Sequence, residues 1–166
     1  PVITAPHGMT LGGGLEIALG GQVRVLLSEL YCGLVEVGVG LIPAGAGCLR
    51  LLQLHQEKRN KRGRPLGAMQ NTMAVFDLIG FGRVSSSADD ARGKFLVPRS
   101  DVICFSKEAQ LKKAKDVALA RLDGFEAIPE TPVLLPGRSG YLVIEGTIDG
   151  MRRAKQISSH AAKIAK

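Results

Sequence analysis

Residues 9–21 read Met-Thr-Leu-Gly-Gly-Gly-Leu-Glu-Ile-Ala-Leu-Gly-Gly. Three consecutive glycines open onto an apolar run that holds a lone glutamate, Glu16. Glycine runs often cradle phosphate, but this one fits neither GxGxxG nor GxxxxGK[ST], and no Lys-Ser/Thr follows it. A dinucleotide or P-loop site is therefore not indicated. Taken alone, the motif reads equally well as a tight glycine turn beside a structural glutamate. The apolar pattern predicts a helix from about Leu15 to Gly20, stopped by Gly20 and Gly21. With no side chain at the turn, backbone N–H groups at the helix start can face a developing oxyanion.

On either side of this turn the pattern is that of an α/β fold. Val2–Ala5 reads as a short buried strand, and residues 6–11 as the loop before the glycines. Val23–Leu27, rich in Val and Leu, suits a second buried strand. Tyr31–Gly40 reads as extended and glycine-punctuated, and residues 41–47 as a turn into a helix over Cys48–Glu57. A basic loop at 58–66 separates residues 1–66 from a more helical stretch, 67–166. There residues 67–81 form an apolar helix, and Ser87 to Asp90 resembles a capping box with Asp in the acidic place. Ser106–Leu122 sets Ala109, Leu111, Ala114, Val117, Ala118 and Leu122 on one helical face. Tyr141–Glu145 reads as a strand and Met151–Lys166 as a basic helix.

Composition narrows the function classes. The 166 residues make one ordinary domain, and 45% apolar with 22% charged residues is globular. Aromatics are only 4%, with no tryptophan, so the core must be aliphatic. No apolar run reaches the roughly 18 residues of a membrane span, and no signal peptide is visible. Cys32, Cys48 and Cys104 form neither a CxxC nor a disulfide framework; reduced thiols in a cytoplasmic setting are expected, with Cys32 and Cys48 as small buried hydrophobes. Net charge is +7, densest at Lys58–Arg64, which reads as a solvated loop; with no interleaved aromatic, nucleic acid is disfavoured. His7 reads as a loop histidine, while His55 and His160 sit in basic helical contexts without metal-ligand spacing. Both chain ends read as cut from something longer.

A second glutamate changes the meaning of the first. Glu36 lies between valines in Gly-Leu-Val-Glu-Val-Gly-Val-Gly, with no cation nearby in sequence. A carboxylate in such a setting is desolvated and suits proton transfer, whereas Glu16, in a first helical turn, is stabilised as an anion. Two carboxylates in unlike settings can divide acid and base duties. Together with an oxyanion donor they suggest enolate chemistry beside a thioester carbonyl.

At this point two segments carry a family resemblance. Pro1–Ala18, containing Met-Thr-Leu-Gly-Gly-Gly-Leu-Glu, and Tyr31–Gly47, Tyr-Cys-Gly-Leu-Val-Glu-Val-Gly-Val-Gly-Leu-Ile-Pro-Ala-Gly-Ala-Gly, resemble the crotonase (enoyl-CoA hydratase/isomerase) superfamily in order and separation. Val84–Arg92 and Asp149–Ser158 fit its subgroup fused to 3-hydroxyacyl-CoA dehydrogenase modules, so the resemblance spans most of the chain. It implies a partial crotonase core of ClpP-like ββα spiral, followed by a more helical C-terminal part. It further implies Gly13 as an oxyanion N–H donor, Glu16 and Glu36 as the catalytic pair, and Met9, Leu11, Gly12, Gly38 and Pro43 as substrate-binding. Both glutamates together favour a hydratase of β-oxidation, adding water to trans-2-enoyl-CoA.

The substrate would be a CoA thioester, with no metal or redox cofactor for hydration and NAD only in a separate dehydrogenase module. The partners implied are acyl-CoA, that module in a parent chain and, as an open alternative, further copies of this chain. The family takes its other oxyanion N–H from a segment before the Pro1-Val2 strand, so low activity of this piece alone is expected. A non-catalytic scaffold with the same fold is the rival reading.

Overall fold

The computed structural model describes residues 1–58, 62–127 and 131–166. Three strands, β1 (Ile3–Thr4), β3 (Val23–Leu27) and β5 (Val102–Cys104), form a parallel sheet in the order β1-β3-β5. A second parallel pair joins β2 (Gly8–Leu11) to β4 (Leu30–Gly33), in register from Gly8 opposite Leu30 to Leu11 opposite Gly33. Helix α1 (Gly13–Leu19) is the crossover between β2 and β3. A short 3₁₀ helix spans Glu36–Val39. Then follow α2 (Gly47–Gln56), α3 (Ala68–Gly80), α4 (Ala88–Gly93), α5 (Lys107–Leu119), α6 (Gly137–Arg153) and α7 (Ser159–Ala165).

The core is aliphatic, as the scarcity of aromatics requires. Leu15, Leu26, Leu30, Leu34, Leu51 and Leu96 are almost wholly buried in one cluster. Strand β3 is buried along its whole length, which is typical of parallel sheets covered by helices. Its one charged residue, Arg24, is buried too. The Arg24 guanidinium pairs with the buried Asp101 carboxylate and donates to the Gly21 carbonyl at 2.8 Å, while the Arg24 amide donates to Asp101 Oδ1 at 3.2 Å. This clamp ties β3 to the turn leading into β5 across 77 residues of chain.

Several local expectations change. Residues 8–11 are not loop but strand: their partner lies some twenty residues on, and four residues with a glycine carry no visible period. The extended reading of Tyr31–Gly40 holds only to Gly33. There a Cβ would stand 2.4 Å from the Arg83 carbonyl oxygen, and the chain turns into the 3₁₀ helix that Gly40 ends at φ 78°. Tyr141–Glu145 lies inside α6 rather than in a strand. Its β-branched run is short, but Gly140, Ile144 and Ile148 recur every four residues and set the inward stripe.

Strand β5 had no signal in its three residues, which pair only with β3. On α5 the expected apolar face is split: Ala114, Val117 and Ala118 are half-buried, whereas Ala109, Leu111 and Leu122 are exposed. The buried residue is instead Gln110, whose amide donates to the Pro6 and Val25 carbonyls at 2.9 and 2.8 Å. The Ser87 hydroxyl caps α4 by accepting from the Asp90 amide. The Asp90 carboxylate accepts from the Ser86 amide, one residue earlier than a standard capping box.

His55 is buried rather than part of a basic surface, and its ring packs edge-on against Phe95 at 5.8 Å. Burial first, and then the Lys58 charge, push its pKa down to about 4. Lys58 and Arg99 both lie over the Phe95 ring, at 4.4 and 4.9 Å. The remainder of the basic run at 59–61 lies outside the described residues. No helix among the described residues is long and apolar enough to cross a membrane.

Two stability predictions follow from these buried charges. Asp101→Ala strands the Arg24 guanidinium in the core and lowers unfolding free energy by about 3–5 kcal/mol, read from urea denaturation. For His55 the folded pKa, about 4, lies below the ordinary 6.5. The unfolded chain therefore takes up a proton that the folded chain refuses. Stability is complete above about pH 6.5 and falls toward pH 4, by up to about 3 kcal/mol. His55→Leu removes most of that slope; an unchanged slope would contradict the assignment.

Candidate functional site

The site forms where the glycine turn, the 3₁₀ helix and the start of α2 converge. Gly12 caps α1 at φ 54° and ψ −128°, a conformation reserved for glycine, and its amide donates to the Gly33 carbonyl at 2.8 Å. Leu15 and Glu16 amides donate back to the Gly12 carbonyl. The Gly13 amide, first in the helix, has no acceptor among the described residues, and a Cβ on Gly13 would meet nothing within 4 Å. The first N–H of α1 is thus unpaired among the described residues.

Glu16 sits in the first turn of α1 and reaches to the opposite loop. Its Oε1 accepts from the Gly45 and Gly47 amides, both at 2.8 Å. A Cβ on either glycine would lie 2.8 Å from a Glu16 carboxylate oxygen, so the loop must be bare to wrap it. The Gly47 amide is the first of α2, so the carboxylate sits at the N-terminus of that helix. Glu36 is held differently. Both its oxygens are buried without a hydrogen-bond partner, and Oε1 lies 3.1 Å from where a Gly12 Cβ would be. The unlike settings expected of the two carboxylates are present: one ligated by amides, one desolvated.

Cys48, in the first turn of α2, is exposed and not the buried hydrophobe expected, whereas Cys32 is buried. Cys48 shares the helical spacing of Leu51 and His55 but stands in the first turn of α2, at the end of that face, where it lines the apolar cavity between α2 and α3. Its thiol pKa is raised by partial burial, then by the charges of Glu16 and Glu36. The glycine turn links the two carboxylates: Glu36 lies against Gly12, and Glu16, four residues on in α1, reaches Gly45 and Gly47.

The substrate-binding residues expected from the resemblance fall in different places. Gly12 precedes Gly13 in the chain and lies against the Glu36 carboxylate. Pro43 lines an apolar cavity of about 280 Å³ between α2 and α3, and Gly38 lines a wider cleft of about 680 Å³ with Phe81 and His160. Met9 is 80% exposed and Leu11 half-buried; neither lines these two spaces. His7 is an exposed loop residue. His160, from α7, approaches the Gly40 backbone, where a Cβ would lie 2.8 Å from its Nε2.

Sequence reasoning did not single out the Gly45 and Gly47 amides, although the alternation Ala-Gly-Ala-Gly before a helix was there to see. No group of three or more potential metal ligands occurs among the described residues.

Comparison with known proteins bears on the fold and on sequence likeness. No family model matches the chain. A probable 3-hydroxyacyl-CoA dehydrogenase of Bacillus subtilis is 38% identical over 167 residues, covering 100% of this chain and 20% of that protein. Mitochondrial methylglutaconyl-CoA hydratase of Mus musculus is 49% identical over 51 residues, 31% of this chain and 16% of that one. The chain thus spans a fifth or less of the length of these relatives. Among solved structures, enoyl-CoA hydratase EchA1 from Mycobacterium marinum superposes with a TM-score of 0.53 at 28% identity, over 72% of this chain and 40% of that one. The chain has the crotonase fold of the enoyl-CoA hydratases, and its sequence likeness runs to the same superfamily.

The glycine turn can be probed directly. Gly12→Ala forces a side chain into left-handed backbone and against Glu36, costing about 1–3 kcal/mol in chemical denaturation. Gly13→Ala, with open space and no positive φ, changes stability by less than about 1 kcal/mol. Equal losses at both positions would contradict the close approach.

Proposed function

We propose, from the crotonase fold and the sequence likeness to enoyl-CoA hydratases, that this chain carries the site of a hydratase of fatty acid β-oxidation. The reaction adds water across the double bond of a trans-2-enoyl-CoA to give a 3-hydroxyacyl-CoA. The observation that carries the reading is one constellation: an amide without an acceptor at Gly13, flanked by an amide-ligated carboxylate and a buried, unpartnered one.

In this reading the thioester oxygen accepts from the Gly13 N–H, so charge moving onto it during attack at C3 meets a fixed donor. Water sits between the carboxylates of Glu16 and Glu36. One takes a proton as the oxygen bonds to C3, and the other delivers a proton to Cα, so no net proton leaves the site. Holding Glu16 by two amides fixes its direction before substrate arrives, which lowers the entropy cost of alignment. Glu36, with no partner in the resting site, is left to the substrate and water.

Residues 1–66 supply these motifs, and 67–166 form the helical remainder of the same module. The substrate is a CoA thioester, and hydration calls on no redox group. A dehydrogenase module using NAD in the parent chain, in a cytoplasmic protein, completes the proposal. The name of the Bacillus subtilis relative supports that module.

Glu36→Gln keeps the shape of the side chain but removes its proton transfer. In the full-length protein it should lower crotonyl-CoA hydration by about 10²–10⁴-fold, the usual contribution of a positioned acid or base. Undiminished turnover would overturn the proposal in favour of a non-catalytic scaffold.

A further inference from the structure

Glu36 poses a problem of direction that Glu16 does not. Two amides aim Glu16, whereas neither carboxylate oxygen of Glu36 has a hydrogen-bond partner. A proton-transfer group must still be held to within about 0.5 Å of its working position. For Glu36 that control has to come through its backbone and the packing around it. The 3₁₀ helix that carries it is a weak support: it spans only Glu36–Val39, and none of these residues is fully buried. Hydrogen bonds in such turns are poorer than those of an α-helix. There is space on either side as well, since Val37 lines both the apolar cavity of about 280 Å³ and the cleft of about 680 Å³. A Cβ on Gly38 would meet nothing within 4 Å.

The far end of this short helix is where it gains support. The Gly40 amide donates to the Glu36 and Val37 carbonyls, and the Leu41 amide donates to the Glu36 carbonyl at 3.0 Å. A shift of the turn at Gly40 and Leu41 therefore reaches the Glu36 backbone. Helix α7 presses on this turn through His160 and Ile164, four residues apart and so on one face. A Cβ on Gly40 would lie 2.8 Å from His160 Nε2 and 3.5 Å from Ile164 Cδ1, so the imidazole occupies the space a side chain would need. Helix α7 is itself pinned. At its start the Ser158 hydroxyl accepts from the Ala161 amide at 3.0 Å, and Ala162 is buried. At its end the Lys166 ammonium pairs with Asp149 and Glu145 of α6, at 2.9 and 3.5 Å.

We propose that His160, with Ile164 beside it, is a positioning residue for Glu36: its ring braces the Gly40 turn and so fixes the backbone from which the acid–base carboxylate extends. The inference rests on the hydratase reading, because proton transfer by Glu36 is what makes its direction matter. The brace is a packing contact of the ring edge, so its loss loosens Glu36 without touching the Gly13 amide or the amides that hold Glu16.

The test is crotonyl-CoA hydration by the full-length protein in a double-mutant cycle of His160→Ala with Glu36→Gln. His160 is exposed, so its truncation leaves the core intact. Alone, His160→Ala should lower kcat about tenfold to a hundredfold, the usual cost of a misplaced group, with KM changed by less than about twofold. In the Glu36→Gln background it should cost nothing more, because the residue through which it acts is already disabled. His160→Phe, which keeps a planar ring against Gly40, should regain most of the lost kcat. Amide hydrogen exchange at Gly40 and Leu41 should quicken in His160→Ala and not in His160→Phe. Unchanged kcat in His160→Ala, a rise in KM alone, or an equal fold loss in both backgrounds overturns the inference while leaving the hydratase reading intact. Undiminished turnover in Glu36→Gln would overturn both.

Discussion

The site depends on one close approach, that of the Glu36 carboxylate to the Cα of Gly12. Any side chain at Gly12 would lie 3.1 Å from the Glu36 oxygen, and the turn itself needs the positive φ that only glycine takes without strain. That single missing Cβ lets the N-terminus of α1 and the buried acid occupy adjacent space. The Gly12 amide, bonded to the Gly33 carbonyl, fixes the turn to the end of β4, and the 3₁₀ helix bearing Glu36 starts three residues later. The Gly13 amide and the Glu36 carboxylate are thus placed by one hydrogen bond and one absent methyl group.

The rest of the scaffold holds that junction still. The β3 strand behind α1 is anchored by the buried pair of Arg24 and Asp101, and Gln110 ties the carbonyls of Pro6 and Val25 together just before β2. On the other side of the site, Ser85 closes the open edge of β4: its hydroxyl accepts from the Cys32 amide and donates to the Leu30 carbonyl, each at 2.9 Å. These polar contacts are costly to bury and costly to break, so they specify one arrangement of strands more than they add net stability. The field at the site is likewise built from backbone, since Glu16 takes its partners from Gly45 and Gly47 amides and not from a cation.

Much of this was legible in the sequence, and the limits are physical. The glycine turn, Glu16, Glu36 and the helices over 47–56 and 68–80 stand out because glycine spacing and helical periodicity are local signals. Strands β2 and β5 did not, because four and three residues acquire their identity only from partners elsewhere in the chain. The Tyr141–Glu145 segment misled because its β-branched residues outweigh, over five positions, a four-residue repeat visible only over the full α6. Cys48 and His55 reversed their expected exposure because, on one face of α2, burial depends on what packs over each end: Phe95 meets His55, while Cys48 lies in the exposed first turn.

The central claim is geometric: a thioester oxygen at Gly13 with the reacting carbons between two carboxylates. A crystal structure of the full-length protein with a 3-hydroxyacyl-CoA product tests it most directly. The account predicts the thioester oxygen within about 3 Å of the Gly13 nitrogen and the 3-hydroxyl within hydrogen-bond reach of both Glu16 and Glu36. A product bound elsewhere, with the Gly13 amide still open and Glu36 still unpartnered, would contradict it.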